Sequence, residues 1–83
     1  MISSIGVTTD IKLQRFTCER KCHCFRNWAV LSGPHATMEE ALGIEQKLAI
    51  KYNSVLHREE DVLLLEEGKE WFIYYFEHCG CSI

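Results

Sequence analysis

The stretch "DVLLLEEGKEWFIYYFE", residues 61–77, decides the fold. In an extended chain successive side chains point to opposite faces, so Trp71, Ile73 and Tyr75 lie on one side and Phe72, Tyr74 and Phe76 on the other. Both sides are apolar. A strand of this kind belongs in the middle of a sheet covered on both faces. The residues before it predict a hairpin with arms 62–66 and 69–77 around Glu67 and Gly68, since glycine accepts the positive φ of a tight turn.

The cover for one face is legible just upstream, in "TMEEALGIEQKLAIKYN", residues 37–53. Thr37 followed by Glu40 has the spacing of a capping box. The threonine oxygen takes the amide of the third helical residue and the glutamate returns to the cap amide. Glu39 and Glu40 suit the positive end of the helix. Ala41, Ile44, Leu48 and Tyr52 form an apolar stripe widened by Leu42 and Ala49, while Glu39, Gln46 and Lys47 are solvated. Asn53 ends the helix. In "SVLHREED", residues 54–61, Val55 to His57 reads either as a short strand or as a connection.

Toward the N-terminus, "IKLQRF", residues 11–16, alternates at Ile11 and Leu13 before the pattern slips at Arg15 and Phe16. "FRNWAVLS", residues 25–32, places Phe25, Ala29 and Leu31 on one side and Arg26, Trp28 and Val30 on the other. The two segments are expected to pair as a hairpin closed by the cysteine-bearing loop and ended by the Gly and Pro of "SGPH". The fold expected is α+β: a small antiparallel sheet of three to five strands with one main helix, in the approximate order ββαββ. Residues 1–83 make a single compact domain, and 1–8 are expected to tolerate disorder. Two cores of half this length would each fall below the size that folds unaided.

Composition narrows the function. The chain has 83 residues, 47% hydrophobic, and a formal charge of -3. Residues 1–35 carry five Lys/Arg against two Asp/Glu, and residues 36–83 carry ten Asp/Glu against four Lys/Arg. A protein that tracked a phosphate backbone over its whole surface would be net basic, so a general nucleic-acid binder is disfavoured. "MISSIGVTTD" has neither a basic n-region nor a long apolar stretch, so cytoplasmic residence without membrane contact is the expectation.

Five cysteines fall into two clusters, Cys18, Cys22 and Cys24 in "CERKCHC" and Cys79 and Cys81 in "EHCGCSI". In a reducing compartment they suit thiolate ligands better than disulfides, and their odd number leaves one over in any internal pairing. Four of them would close a tetrahedral structural zinc site, with His23 and His78 as alternative ligands. The C-x3-C-x-C spacing lacks the regularity of paired C-x2-C knuckles, and free cysteines or disulfides are the competing readings. No H-E-x-x-H motif occurs, so metal-assisted hydrolysis is not expected.

The leading expectation is a small non-enzymatic protein-interaction module, an adaptor or inhibitor stabilised by zinc. It would offer Glu59, Glu60, Asp61, Glu66, Glu67 and Glu70 to a basic protein surface, with Trp71 or Tyr75 as an anchor. A homo-oligomer that covers the second sheet face is a further arrangement. One alternative is a nucleic-acid-binding regulator that uses Arg20, Lys21 and Arg26 on the basic cysteine-rich loop, with Phe16, Phe25 and Trp28 for stacking. Another is a cysteine-dependent enzyme or redox protein, pairing a thiol with His35, His57 or His78.

Overall fold

The computed structural model describes residues 1–57 and 70–81, with the backbone alone for Cys81. The elements run β1 (Ile2–Thr8), α1 (Ile11–Lys21), β2 (Cys22–His23), β3 (Arg26–His35), α2 (Met38–Lys51), β4 (Val55–Leu56), β5 (Trp71–His78) and β6 (Gly80–Cys81). Four strands form a mixed sheet in the order β3-β5-β1-β4, and β2 pairs with β6 as a separate two-stranded ribbon. The domain is therefore α+β with two helices. The predicted arm 62–66 and its turn lie outside the described residues.

β5 occupies the interior position its composition requires. It runs antiparallel to β1 on one side and to β3 on the other. Trp71 and Ile73 pack with Ile5, Val7 and Ala41 beneath α2, joined by Leu31, Met38, Leu42, Ile44, Leu48 and Tyr75. Tyr74 and Phe76 face the other way, against Cys18 and Cys22, with Phe25 and Trp28 at the margin. N-terminal residues thus cover the second face, mainly through α1 and the start of β3.

α2 begins where its sequence says. Thr37 Oγ1 accepts from the Glu40 amide at 3.2 Å. The reciprocal half of the capping box is diverted, because the Glu40 carboxylate lies 3.3 Å from His35 Nδ1. Ala41 and Ala49 are buried as the stripe predicts, and so is Glu45, which the stripe did not include.

Four expectations are corrected. Residues 11–16 are helical, not extended: Asp10 Oδ1 accepts from the Leu13 amide at 3.0 Å, and the helix buries Gln14 and Cys18, four residues apart on one face. The slip at Arg15 and Phe16 was the visible trace of that period. Residues 1–8 supply an inner strand, β1, whose Ile5 and Val7 complete the core under α2. The partner of β3 is consequently β5 and not residues 11–16. Finally, the sheet is mixed, since β4 runs parallel to β1 through the pairs Ser4 with Val55 and Ile5 with Leu56.

The alternation expected for residues 25–32 also breaks. Phe25 and Trp28 share a face, their ring centroids 6.0 Å apart. A register shift between Arg26 and Ala29, with Asn27 at φ 57, inserts the extra step that brings them together.

Candidate functional site

The two cysteine clusters meet on the β2–β6 ribbon. Cys22 stands opposite Cys81 and His23 opposite Gly80, while the Cys79 amide donates to the His23 carbonyl at 2.7 Å. Cys24 and Cys79 are joined as a disulfide with Cα atoms 5.4 Å apart, and Cys22 is disulfide-bonded as well. Cys18 is fully buried in α1, and its Sγ accepts from Gln14 Nε2 at 3.4 Å. A nucleophilic cysteine needs an exposed thiolate, which the position of Cys18 does not provide. Among the described residues no group of three or more His, Cys, Asp or Glu side chains converges as if around a metal ion.

The histidines named as alternative ligands differ in setting. His23 is exposed on β2. His78 is buried, its Nε2 lies 2.8 Å from Ser4 Oγ, and its ring stacks on Phe76 at 5.0 Å. Burial lowers its pKa from the ordinary histidine value, because a charged imidazole would lose its hydration there. Beside it Tyr74, Trp28, Phe25 and Phe76 form a continuous aromatic layer, Trp28 stacked on Tyr74 at 5.1 Å. Tyr74 reaches across Gly6 to His57, with its hydroxyl 2.7 Å from Nδ1.

Of the acidic surface, Glu70 is described and exposed, whereas Glu59, Glu60, Asp61, Glu66 and Glu67 lie outside the described residues. Trp71 is 7% exposed and belongs to the core under α2, which leaves it no surface to offer as an anchor. Tyr75 is half-buried and donates its hydroxyl to Glu77 Oε2 at 2.7 Å. Asn27 Nδ2 donates to Glu77 Oε1 at 2.7 Å, and Arg26 Nε stands 3.6 Å from the same oxygen. These contacts, Tyr75 first, hold the Glu77 carboxyl below the usual carboxylate range, and the anion in turn raises the pKa of Tyr75. Arg26 keeps most of its side chain exposed beside this pair.

The surface that stands out is the outer face of α1. Leu13 is 60% exposed and Phe16 is 55% exposed, and the Arg20 guanidinium sits 5.4 Å from the Phe16 ring centroid. Residues 13, 16, 17 and 20 fall on one helix face, opposite the buried Gln14 and Cys18. Phe16, Thr17, Arg20 and Lys21 line a surface hollow there. Lys12, Arg15, Arg20 and Lys21 are all exposed on this helix against the single acid Glu19. Arg20 and Lys21 also complement the negative end of the helix, but that role does not call for an exposed Leu13 or Phe16 beside them. Reading residues 11–16 as a strand hid this face, because only helical spacing brings Leu13, Phe16 and Arg20 together.

No family model matches the chain, and no curated protein or solved structure was found to match it. No helix among the described residues is long and apolar enough to cross a membrane.

Proposed function

We propose that this protein is a disulfide-stapled protein-interaction module that engages an acidic protein surface through the outer face of α1. The observation that carries the reading is the exposed Leu13–Phe16 pair set among Lys12, Arg15, Arg20 and Lys21. Interfaces of this kind have an apolar centre with a charged rim, and large aromatic and Arg side chains carry most of their energy. A nucleic-acid strand would use the cations and the Phe16 ring but would leave Leu13 without a partner. The remainder of the chain, with ten acids against four bases over residues 36–83, would repel a polyanion. A protein partner is favoured on both counts.

The test is a photo-crosslinking residue placed at Thr17 of the full chain, exposed to nuclease-treated extract, in parallel with a Phe16→Ala/Arg20→Glu variant. A protein adduct that survives nuclease and disappears in the variant supports the reading. Adducts to nucleic acid alone, or protein adducts that the variant retains, overturn it.

A second reading concerns the ribbon in a reducing compartment. The Cys22–Cys81 register and the closeness of Cys24 to Cys79 favour structural zinc held by these four cysteines once they are thiols, since Cys24 and Cys79 directly flank the paired strands that carry Cys22 and Cys81. Metal analysis of the protein purified under reduction decides this, and one zinc per chain released by thiol alkylation is the expected result. The Cys24–Cys79 disulfide itself favours an oxidising compartment.

A further inference from the structure

Ser32, His35 and Glu40 form a hydrogen-bonded relay away from α1 and the ribbon. Ser32 Oγ lies 2.7 Å from His35 Nε2, and His35 Nδ1 lies 3.3 Å from Glu40 Oε1. The chemistry of the three groups assigns the protons. A carboxylate only accepts, so the imidazole proton sits on Nδ1, which leaves Nε2 of the neutral ring to accept from the Ser32 hydroxyl. Hydroxyl, imidazole and carboxylate thus stand in the order that activates a nucleophile: a base within reach, oriented in turn by a third group.

The backbone brings this about by departing from regular strand geometry. Residues three apart on a plain strand point to opposite faces, and Ser32 and His35 would not meet. β3 loses register between them, where Ser32 pairs with Ile73 and His35 with Trp71. Gly33 stands at φ 129 with the Phe72 ring against its Cα, a conformation and a space closed to any side chain. Irregularities of this kind re-aim side chains and recur beside active sites. The His35 side chain is 11% exposed and so is held by its surroundings. Glu40 is fixed from the other end by the Thr37-capped start of α2.

We propose that Ser32 is an acyl acceptor for small activated carboxylic esters, with His35 as its general base and Glu40 as a positioning residue. The hydroxyl proton passes to His35 Nε2 as Ser32 Oγ bonds to the ester carbonyl carbon. The bond from that carbon to the leaving oxygen then breaks, and the leaving group departs with the proton from His35 or, for a weakly basic phenolate, without it. Where the phenolate leaves without it, His35 gives the proton to solvent; water then attacks the acyl-serine by the same route and releases a carboxylic acid, restoring the hydroxyl. Gly33 and Pro34 are exposed on the edge strand, so a small ester reaches the site from solvent.

A comparison serine is built in, since Ser54 Oγ donates to Ser3 Oγ at 2.9 Å without an imidazole in that bond. The experiment treats the intact protein with p-nitrophenyl acetate and maps acetylation by peptide mass spectrometry, taking the ratio of the rates at Ser32 and Ser54 within the same molecules. General-base assistance predicts a ratio of roughly 100 or more. His35→Gln and Glu40→Gln should each lower that ratio at least about tenfold while circular dichroism shows both helices retained, and Glu40→Asp should restore part of it. Equal rates at the two serines, or a ratio unchanged in folded His35→Gln, overturn the proposal. Should His35→Gln fail to fold, the wild-type ratio and the Glu40 variants decide the matter alone.

Discussion

Cys24 and Cys79, 55 residues apart in the chain, are joined by a disulfide that ties the end of the central strand to the loop between β2 and β3. Closing a loop of that length removes conformational freedom from the unfolded chain worth about 4 kcal/mol on the chain-entropy account. Full reduction in the presence of a chelator is therefore expected to lower the urea midpoint by several kcal/mol of equivalent stability. The Cys24→Ser/Cys79→Ser variant should lose less, because Cys22 remains disulfide-bonded. Urea unfolding followed by Trp fluorescence measures both, and a midpoint indifferent to reduction would show that the crosslink contributes nothing.

Gly6 and Gly43 make a paired prediction of opposite sign. A Cβ on Gly6 would overlap the Tyr74 phenol, which crosses β1 at that point to reach His57. Gly6→Ala should cost about 1–3 kcal/mol through forced repacking. A Cβ on Gly43 meets nothing within 4 Å, and that residue lies inside α2. Gly43→Ala should stabilise by roughly 0.5–1 kcal/mol. Thermal melts of the two variants against the parent check the signs.

The Glu77 carboxylate sets an acid limit on stability. Its folded pKa is depressed by the hydrogen bonds from Tyr75 and Asn27. The stabilisation is therefore complete above the unfolded glutamate value of about 4.3 and is lost as pH falls through the lower folded value. Replacing Glu77 with Gln removes the charge and should flatten the stability profile in that acid window while lowering stability at neutral pH. Urea midpoints collected between about pH 2 and pH 5 test this.

His78 acts in a separate, higher window. Its folded pKa is lowered by burial, so below the ordinary value of about 6.5 the unfolded state binds the proton first. Stability should fall as pH drops through that range and level off once the folded imidazole is itself protonated. An NMR titration in which the His78 ring protonates at or above the free histidine value would contradict the expectation. The Ser4→Ala variant should lower stability across the whole range, because it strips the buried ring of its 2.8 Å partner.

Where an element's own residues carried its period, the sequence was readable. Residues 71–76 are apolar on both faces without interruption and residues 37–51 repeat helically behind a threonine cap, and both appear where that pattern puts them. α1 was misread because a helix that buries only Gln14 and Cys18 carries too little apolar signal, and its exposed Leu13 mimics strand alternation. Strand spacing separates Leu13, Phe16 and Arg20, which only the helix brings onto one open face. The Ser32–His35 contact was unreadable for another reason, since regular strand geometry forbids it and only a register shift against β5 allows it.

By itself the sequence determined a doubly buried aromatic strand, a capped amphipathic helix and two cysteine clusters, one of them directly after the aromatic strand. These are local properties of spacing and side-chain chemistry. Tertiary structure decided the rest: that β1 and not residues 11–16 flanks β5, that Cys24 meets Cys79, and that Leu13, Phe16 and Arg20 share an open face. Each of these depends on which distant segments compete for the same strand edge or sheet face. That competition is settled by the packing of the whole chain, where burying Ile5 and Val7 under α2 outweighs leaving the N-terminus free.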